Sequence, residues 1–370
     1  MNYALGPDDF KSRNDGLKWA KAAPGVIPAW VADMDMPTAP AVAEVLRRRA
    51  EGDLGYPTWL DNPGCGLLAE VFAERMAGRY SWSPDPGHVR TFCDINQALQ
   101  VLLHLSTRPG DAVALHTPAY HPFLGTLEVM DRPLRPIRLV PDEGDSWRYE
   151  VPDLSGCRVL LLVNPQNPTG RVFTRRELEE LAEHVERHDL LVISDEIHAD
   201  LTYAPNQHIP FATILPERTV TLTSASKAFN LGGVRCSVAH VGSPAVREAL
   251  AAQPPFLYGS AHVFGVEATI AAWRDGDAWL EETRALLDRN RKTIAARLPE
   301  GVGYRVPQAT YLAWLDYGRP GMAEVLEREA KVLLNDGAAF GPGGENHVRL
   351  NFATTEPVLT EILDRLQNAR

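Results

Sequence analysis

A lysine, a carboxylate, an imidazole, an amide and an aromatic ring stand just beyond successive apolar runs in this chain. Together they have the chemistry to activate an amine through a carbonyl. The lysine is Lys227, in the stretch SASKAFNLGGVR from Ser224 to Arg235. Of the 37 basic residues only six are lysines (11, 18, 21, 227, 292 and 331), and between Lys21 and Lys292 it stands alone. An arginine is a permanent charge and a poor nucleophile, whereas a lysine amine can lose its proton and attack a carbonyl. The other groups follow the same pattern. AVALH at 112–116 leads into TPAYHP with Tyr120, VLLLV at 159–163 into NPQNPTG with Asn164 and Asn167, LLVIS at 190–194 into DEIH with Asp195 and His198, and TVTLT at 219–223 into SASK. Each has a plain alternative: NPQNPTG also reads as a turn, and Asp195 or Ser224 as a helix cap. Their recurrence at successive strand ends is what singles them out.

The chemistry that uses this set is that of an aldehyde cofactor held as a Schiff base on lysine, with an acid paired to a pyridine nitrogen. Asp195 would keep that nitrogen protonated, because a nearby carboxylate favours the charged form of its partner. Asn167 and His198 would meet the ring hydroxyl, and Tyr120 the ring face. A phosphate handle would find donors in Ser224, in Arg235, and in the first amides of the predicted helix INQALQVLLHL, at Ile95 and Asn96.

The elements that must position these groups are also legible. Continuous apolar runs separated by helical patterns predict an α/β fold with a mostly parallel sheet covered on both faces. The clearest crossover helix is TRRELEELAEHVERH, where Thr174 and Glu177 form a capping box ahead of Leu178, Leu181 and Val185. In open sheets of this kind ligands bind beyond the carboxyl ends of the strands. From about residue 270 the pattern changes to a long polar helix, the strand TYLAWLD, another helix and the strand HVRLNFA, which reads as a smaller α+β lobe. The expected division is 1–43 as an N-terminal segment bordering the site and the small domain, 44–270 as the large domain, and 271–370 as the small C-terminal domain.

Bulk properties narrow the partners. The net charge of −11 argues against nucleic acid, and no apolar run is long enough to span a bilayer. The opening MNYALGPDDFKSRNDG lacks the charged start and apolar block of a signal peptide. Cys65, Cys93, Cys157 and Cys236 lie far apart, as expected of free thiols in a reducing cytoplasm. The histidines four apart in HVERH lack the HExxH order and read as a solvated helix face, so no metal site is expected. His116, His121 and His208 read as structural or surface residues.

NPQNPTG, the Asp of DEIH, SASK and Arg349 in VRLNFA occur in the order found in the class I/II aminotransferase superfamily, and the chain resembles a fold-type I pyridoxal-phosphate (PLP) enzyme over essentially its whole length. The resemblance implies that Lys227 carries the cofactor, Asp195 pairs with the pyridine nitrogen, Asn167 meets the ring oxygen and Arg349 grips the substrate α-carboxylate. VIPAWVADMDMPTAP, LGYPTW, DEIHADL, QATYLAWLD and NDGAAFGPGGENHVRLNFA are similar to the MalY/PatB group of cystathionine β-lyases. That similarity implies a homodimer in which Tyr56 reaches the phosphate of the neighbouring subunit, with the loop around Trp30 bordering the substrate pocket. Two features depart from the pattern. CDIN carries Asp94 where glycine is common, an acid that is unfavourable beside a phosphate unless its side chain turns away, and Arg235 is more typical of aminotransferases. Both bear on the reaction more than on the cofactor. The expected activity is β-elimination from a cysteine S-conjugate. Transamination or decarboxylation are the alternatives within the same chemistry, and a non-catalytic regulatory protein that keeps PLP is the alternative outside it.

Overall fold

The computed structural model describes residues 5–10, 16–143, 147–254 and 256–369. Lys11 and most of the opening stretch read above for a signal peptide lie outside the described residues. The four apolar runs form the strands Ala112–Thr117, Cys157–Val163, Leu191–Asp195 and Thr219–Thr223. They belong to a seven-stranded sheet that runs Val89–Phe92, Ser237–Val241, Thr219–Thr223, Leu191–Asp195, Cys157–Val163, Ala112–Thr117, Leu134–Arg138. Ser237–Val241 is antiparallel to both its neighbours, and the remaining pairs are parallel.

Strand Cys157–Val163 shows why the runs are continuous in apolar character. Val159, Leu161 and Val163 face a core shared with Leu99 and Leu102 of helix Ile95–Ser106. Leu160 and Leu162 face the opposite core, shared with Leu178, Leu181 and Val185 of helix Arg175–Arg187. Alternate side chains serve two layers, so neither face of the strand is polar. The capping box at Thr174 and Glu177 is present at the start of the second helix. Caps of this kind contribute about 1 kcal/mol.

Beyond the sheet, strands Gly303–Tyr304, Leu312–Asp316, His347–Asn351 and Asn335–Asp336 form a four-stranded antiparallel sheet. The long polar helix is Asp277–Arg297, with an inward stripe of Trp279, Leu280, Thr283, Leu286, Leu287, Asn290, Arg291 and Ile294. Among the described residues this lobe shares its main core with the rest of the chain. One apolar cluster runs from Ile27 and Val42 through Phe72 and Ala268 to Leu312, Leu350 and Leu363. The expected boundaries at 43/44 and 270/271 both lie within this continuous cluster. Residues 43/44 fall inside helix Pro40–Glu51, and 270/271 inside helix Val263–Asp275, two helices that pack on each other. A pattern change along the sequence marks where composition shifts, not where packing stops.

The N-terminal segment belongs to both lobes. Ile27–Pro28 pairs in parallel with Val332–Leu333. Lys18 and Asp35 form a buried ion pair at 2.6 Å, and the Trp19 indole donates to the same carboxylate at 2.7 Å. Removing one partner of a buried pair costs about 3–5 kcal/mol. The pair therefore ties helix Leu17–Ala20 to the irregular loop 30–35, which meets the large domain through the Met34 main chain and the Asn230 side chain. Among the described residues no helix is long and apolar enough to cross a membrane.

Candidate active site

Register sets the site. Val163 lies beside Asp195, and Asp195 beside Leu222, so three parallel strands end level with one another. Lys227 follows on a one-turn helix, Ala225–Ala228, that starts directly after strand Thr219–Thr223. The Ser224 hydroxyl accepts from the Ser226 amide at 3.0 Å and donates to the Cys236 carbonyl at 2.6 Å. It thereby ties the lysine turn to the segment bearing Arg235. Ser224 is thus already engaged as a cap, the alternative that the sequence also allowed.

One cavity gathers most of the expected residues. Asn167, Asp195, His198, Ser224 and Lys227 line it from the strand ends, Ile95, Asn96 and Arg235 from the phosphate-handle side, and Tyr120 from the start of helix His121–Val129. The Lys227 amine donates to the Ala32 carbonyl at 2.9 Å. Burial lowers its pKa; the Asp33 carboxylate opposes that shift, the Arg349 charge adds to it, and Asp195 opposes it more weakly. A lysine in this setting gives up its proton more readily than one in water. Asp195 is shifted the other way. Burial pushes its carboxyl up to about 7, the Ile197 amide that donates to it counteracts this, and neighbouring Glu196 adds to it. Among the described residues that amide is its one hydrogen-bond donor. Burial brings the His198 imidazole down to about 3, helped by the Lys227 and Arg349 charges, so the ring is neutral. Its Nδ1 has no hydrogen-bond partner among the described residues.

Arg349 sits beside the cavity, on strand His347–Asn351 of the smaller sheet. It donates to Asn167 Oδ1 at 3.1 Å, to Asn335 Oδ1 at 2.7 Å and to the Trp30 carbonyl at 3.0 Å. These partners are neutral, so among the described residues no carboxylate pairs with the buried guanidinium, and burial lowers its pKa to about 10. An oriented, uncompensated fork of this kind suits a carboxylate ligand.

Two expected residues stand elsewhere. Tyr56 is 90% exposed, in a surface groove with Leu54, Phe256 and Leu257, and does not line the Lys227 cavity of its own chain. Trp30 meets Arg349 through its main-chain carbonyl, while its indole donates outward to the Lys18 carbonyl at 3.3 Å. The Asp94 side chain does not turn away from the expected phosphate donors. One of its oxygens accepts from the Gln97 amide at 2.7 Å, capping helix Ile95–Ser106, and the other pairs with Arg235. A side chain that caps this helix is held at the mouth of the cavity, where Arg235 reaches it.

Several contributors were missed by sequence reading. The Tyr311 hydroxyl donates to the Ala32 carbonyl at 2.9 Å, the same carbonyl that Lys227 uses. Asn351 donates to the Val31 and Asp33 carbonyls, each at 2.6 Å. Both lie in stretches read only as strands, and nothing local distinguishes a strand residue that meets a distant loop. Gly170, by contrast, explains the end of NPQNPTG. Its φ is +70°, and an added Cβ would lie 2.3 Å from Pro307. That combination admits only glycine.

The groups present fit a planar, anionic, cation-bearing ring. Asp195 is a buried carboxyl short of a positive partner, His198 leaves Nδ1 free, and Arg235 and the amides of Ile95 and Asn96 stand at the other end. Comparison with known proteins places this arrangement. Residues 34–366 match the model of the family described as aminotransferase class I and II. A cystathionine beta-lyase of Corynebacterium glutamicum is 33% identical over 368 residues, covering 97% of this chain and 97% of its own length. The cystathionine beta-lyase PatB of Bacillus subtilis is 31% identical, with 95% and 96% covered. The crystal structure of cystalysin from Treponema denticola, which contains a pyridoxal 5'-phosphate cofactor, gives a TM-score of 0.90 at 26% identity, covering 100% of this chain and 99% of that one. The likeness extends through both sheets and the N-terminal segment, and the architecture is that of fold-type I. The chain belongs to the class I and II aminotransferase family.

Proposed function

We propose that the protein is a PLP-dependent carbon–sulfur β-lyase of the cystathionine β-lyase type, which cleaves cysteine-derived amino acids to pyruvate, ammonia and a thiol. The observation that carries the reading is that Lys227 and Asp195 line one cavity while Arg349 stands beside it, bonded to the cavity residue Asn167, in a chain alike over nearly its full length to enzymes named for this reaction.

The residues divide the work. Asp195 would hold the cofactor's ring nitrogen in its protonated form, Asn167 and His198 its ring oxygen, and Arg235 with the amides of Ile95 and Asn96 its phosphate. When bound, the cofactor supplies an electron sink for the pair released at the substrate's α-carbon. Arg349 takes the α-carboxylate, which fixes the α-carbon relative to Lys227. The Lys227 amine, less basic than usual because it is buried, removes the α-proton. The Cβ–S bond then breaks, the thiolate takes the departing pair, and water completes the release of pyruvate and ammonia.

Transamination begins with the same proton abstraction and differs in where the proton is returned. The discriminating experiment is incubation with L-cystathionine and, separately, with L-glutamate plus several keto acids. Pyruvate and free thiol from the first, with negligible exchange in the second, support the lyase. Stoichiometric pyridoxamine phosphate without thiol overturns it. Arg349→Lys is expected to raise KM for the amino acid on the order of tenfold or more, with a smaller effect on kcat. A point charge cannot reproduce the fork that Asn167 and Asn335 orient, and steady-state kinetics with L-cystathionine measures the split.

We infer further that the protein works as a homodimer. Tyr56, Leu54, Phe256 and Leu257 are 90, 60, 61 and 57% exposed around one groove, a larger apolar surface than isolated side chains give. A second copy seated there would bring Tyr56 towards the partner's phosphate site. Tyr56→Phe is expected to weaken PLP retention several-fold without dissociating the dimer. Equilibrium dialysis combined with sedimentation tests both halves. The free cysteines support a reducing, cytoplasmic setting.

A further inference from the structure

The phosphate end of the cavity carries a contradiction. Among the described residues Arg235 is the one cation there, and Asp94 holds it in an ion pair. We propose that Asp94 is a resident competitor for the cofactor's phosphate, so that this enzyme holds PLP loosely and its active fraction follows cofactor supply. The inference rests on the reading that PLP occupies this cavity with its phosphate at the start of helix Ile95–Ser106.

Three observations support it. The first is charge. Lys227 lies at the aldehyde end, so the phosphate end offers the positive charge of Arg235 against the negative charge of Asp94, and the two cancel. A phosphate dianion entering there meets no net attraction from side chains of its own subunit, and it meets a carboxylate at close range.

The second is the state of the helix start. A free first turn of a 12-residue helix is a natural anion site, because its amides point outward unpaired. Here Asp94 already takes the Gln97 amide, and the Gln97 side chain in turn accepts from the Cys93 amide at 2.7 Å and donates to the Tyr258 carbonyl at 2.6 Å. The protein's own acceptors have claimed part of what a phosphate would use, leaving the amides of Ile95 and Asn96.

The third is exposure. Arg235 has a main-chain φ of 55° and lies beside the Ser224–Cys236 hydrogen bond. Its side chain is 57% exposed, while that of Asp94 is 26% exposed and tied into the cap. Phosphate binding therefore proceeds by Arg235 leaving or sharing Asp94, and the carboxylate stays behind as a like charge. Every cofactor phosphate that binds works against that charge.

The test compares wild type with Asp94→Asn. Asparagine is among the best capping residues, so the helix start survives while the charge goes. Asp94→Ser, another good cap without charge, serves as the second variant. The cofactor-free proteins are titrated with PLP and, separately, with pyridoxal, which has the aldehyde and ring but no phosphate, following absorbance of the lysine-bound chromophore. Both variants are expected to bind PLP on the order of tenfold more tightly than wild type, with pyridoxal affinity unchanged. Unchanged or weaker PLP binding in the variants overturns the inference and makes Asp94 a positioning residue for Arg235. An equal gain for PLP and pyridoxal also overturns it, because the effect then lies at the lysine end. Failure of wild type to bind PLP at Lys227 at all is a different result; it removes the functional reading, and this inference falls with it.

Discussion

Lys227→Ala is expected to lose turnover on the order of 10³-fold or more while keeping the fold. The size follows from two duties on one atom, since the amine both anchors the cofactor and moves the α-proton. Fold retention follows from the surroundings. The lysine's hydrogen bond is to the Ala32 carbonyl, which the Tyr311 hydroxyl also serves, so no acceptor is stranded when the amine goes. Borohydride reduction of the wild-type holoenzyme should attach a pyridoxyl group to Lys227 and leave Lys18, Lys21, Lys292 and Lys331 unlabelled. The Ala variant should show no label. A pyridoxyl group on another lysine would remove Lys227 from the mechanism, as would a Lys227→Ala enzyme of near-normal rate.

The part of the site that could be read from sequence is the part whose positions are fixed locally. Asn167, Asp195, His198 and Lys227 each follow an apolar run, and parallel pairing in register brings those run ends level. Nothing beyond strand recognition and the rule for open sheets was needed. The capping box at Thr174 is local for the same reason. What escaped depends on long-range packing. Arg349 was identified through the family resemblance, but its partners Asn335 and the Trp30 carbonyl are separated from it by a turn of the small sheet and by most of the chain. The loop 30–33 has no periodic pattern, and its role comes from carbonyls that any sequence possesses. Lys227, Tyr311, Arg349 and Asn351 all converge on those carbonyls. The packing around the expected domain boundaries is likewise long-range. The cuts at 43/44 and 270/271 fall within helices Pro40–Glu51 and Val263–Asp275, and only the folded chain shows that these two helices pack on each other. Asp94 was conspicuous as a departure, yet its pairing with Arg235, 141 positions away, needed the folded chain.

Asp195→Ala is expected to retain the fold and lose on the order of 100-fold or more in kcat, because it removes the charge that keeps the ring nitrogen protonated as electrons arrive there. The same substitution has a second consequence that needs no turnover. In the cofactor-free protein, burial pushes the Asp195 carboxyl up to about 7. An unfolded aspartate titrates near about 4. Between those values the native protein holds a proton that the unfolded chain has released, so this group makes stability fall as pH rises from about 4 to about 7. Above that window the penalty is complete and constant. Below it the penalty is absent. The Ala variant carries no such group, so the difference in melting temperature between cofactor-free Asp195→Ala and wild type is expected to shift in the variant's favour from pH 5 to pH 8. Binding PLP to wild type supplies a positive partner for the carboxylate and should relieve the penalty where it is largest, at the upper end of that range. Melting curves at pH 5 and pH 8, with and without PLP, measure both effects. Parallel pH profiles for the two cofactor-free proteins would mean that Asp195 is not a carboxyl held out of its ordinary range, and an Asp195→Ala enzyme of near-normal kcat would put a different acid at the ring nitrogen.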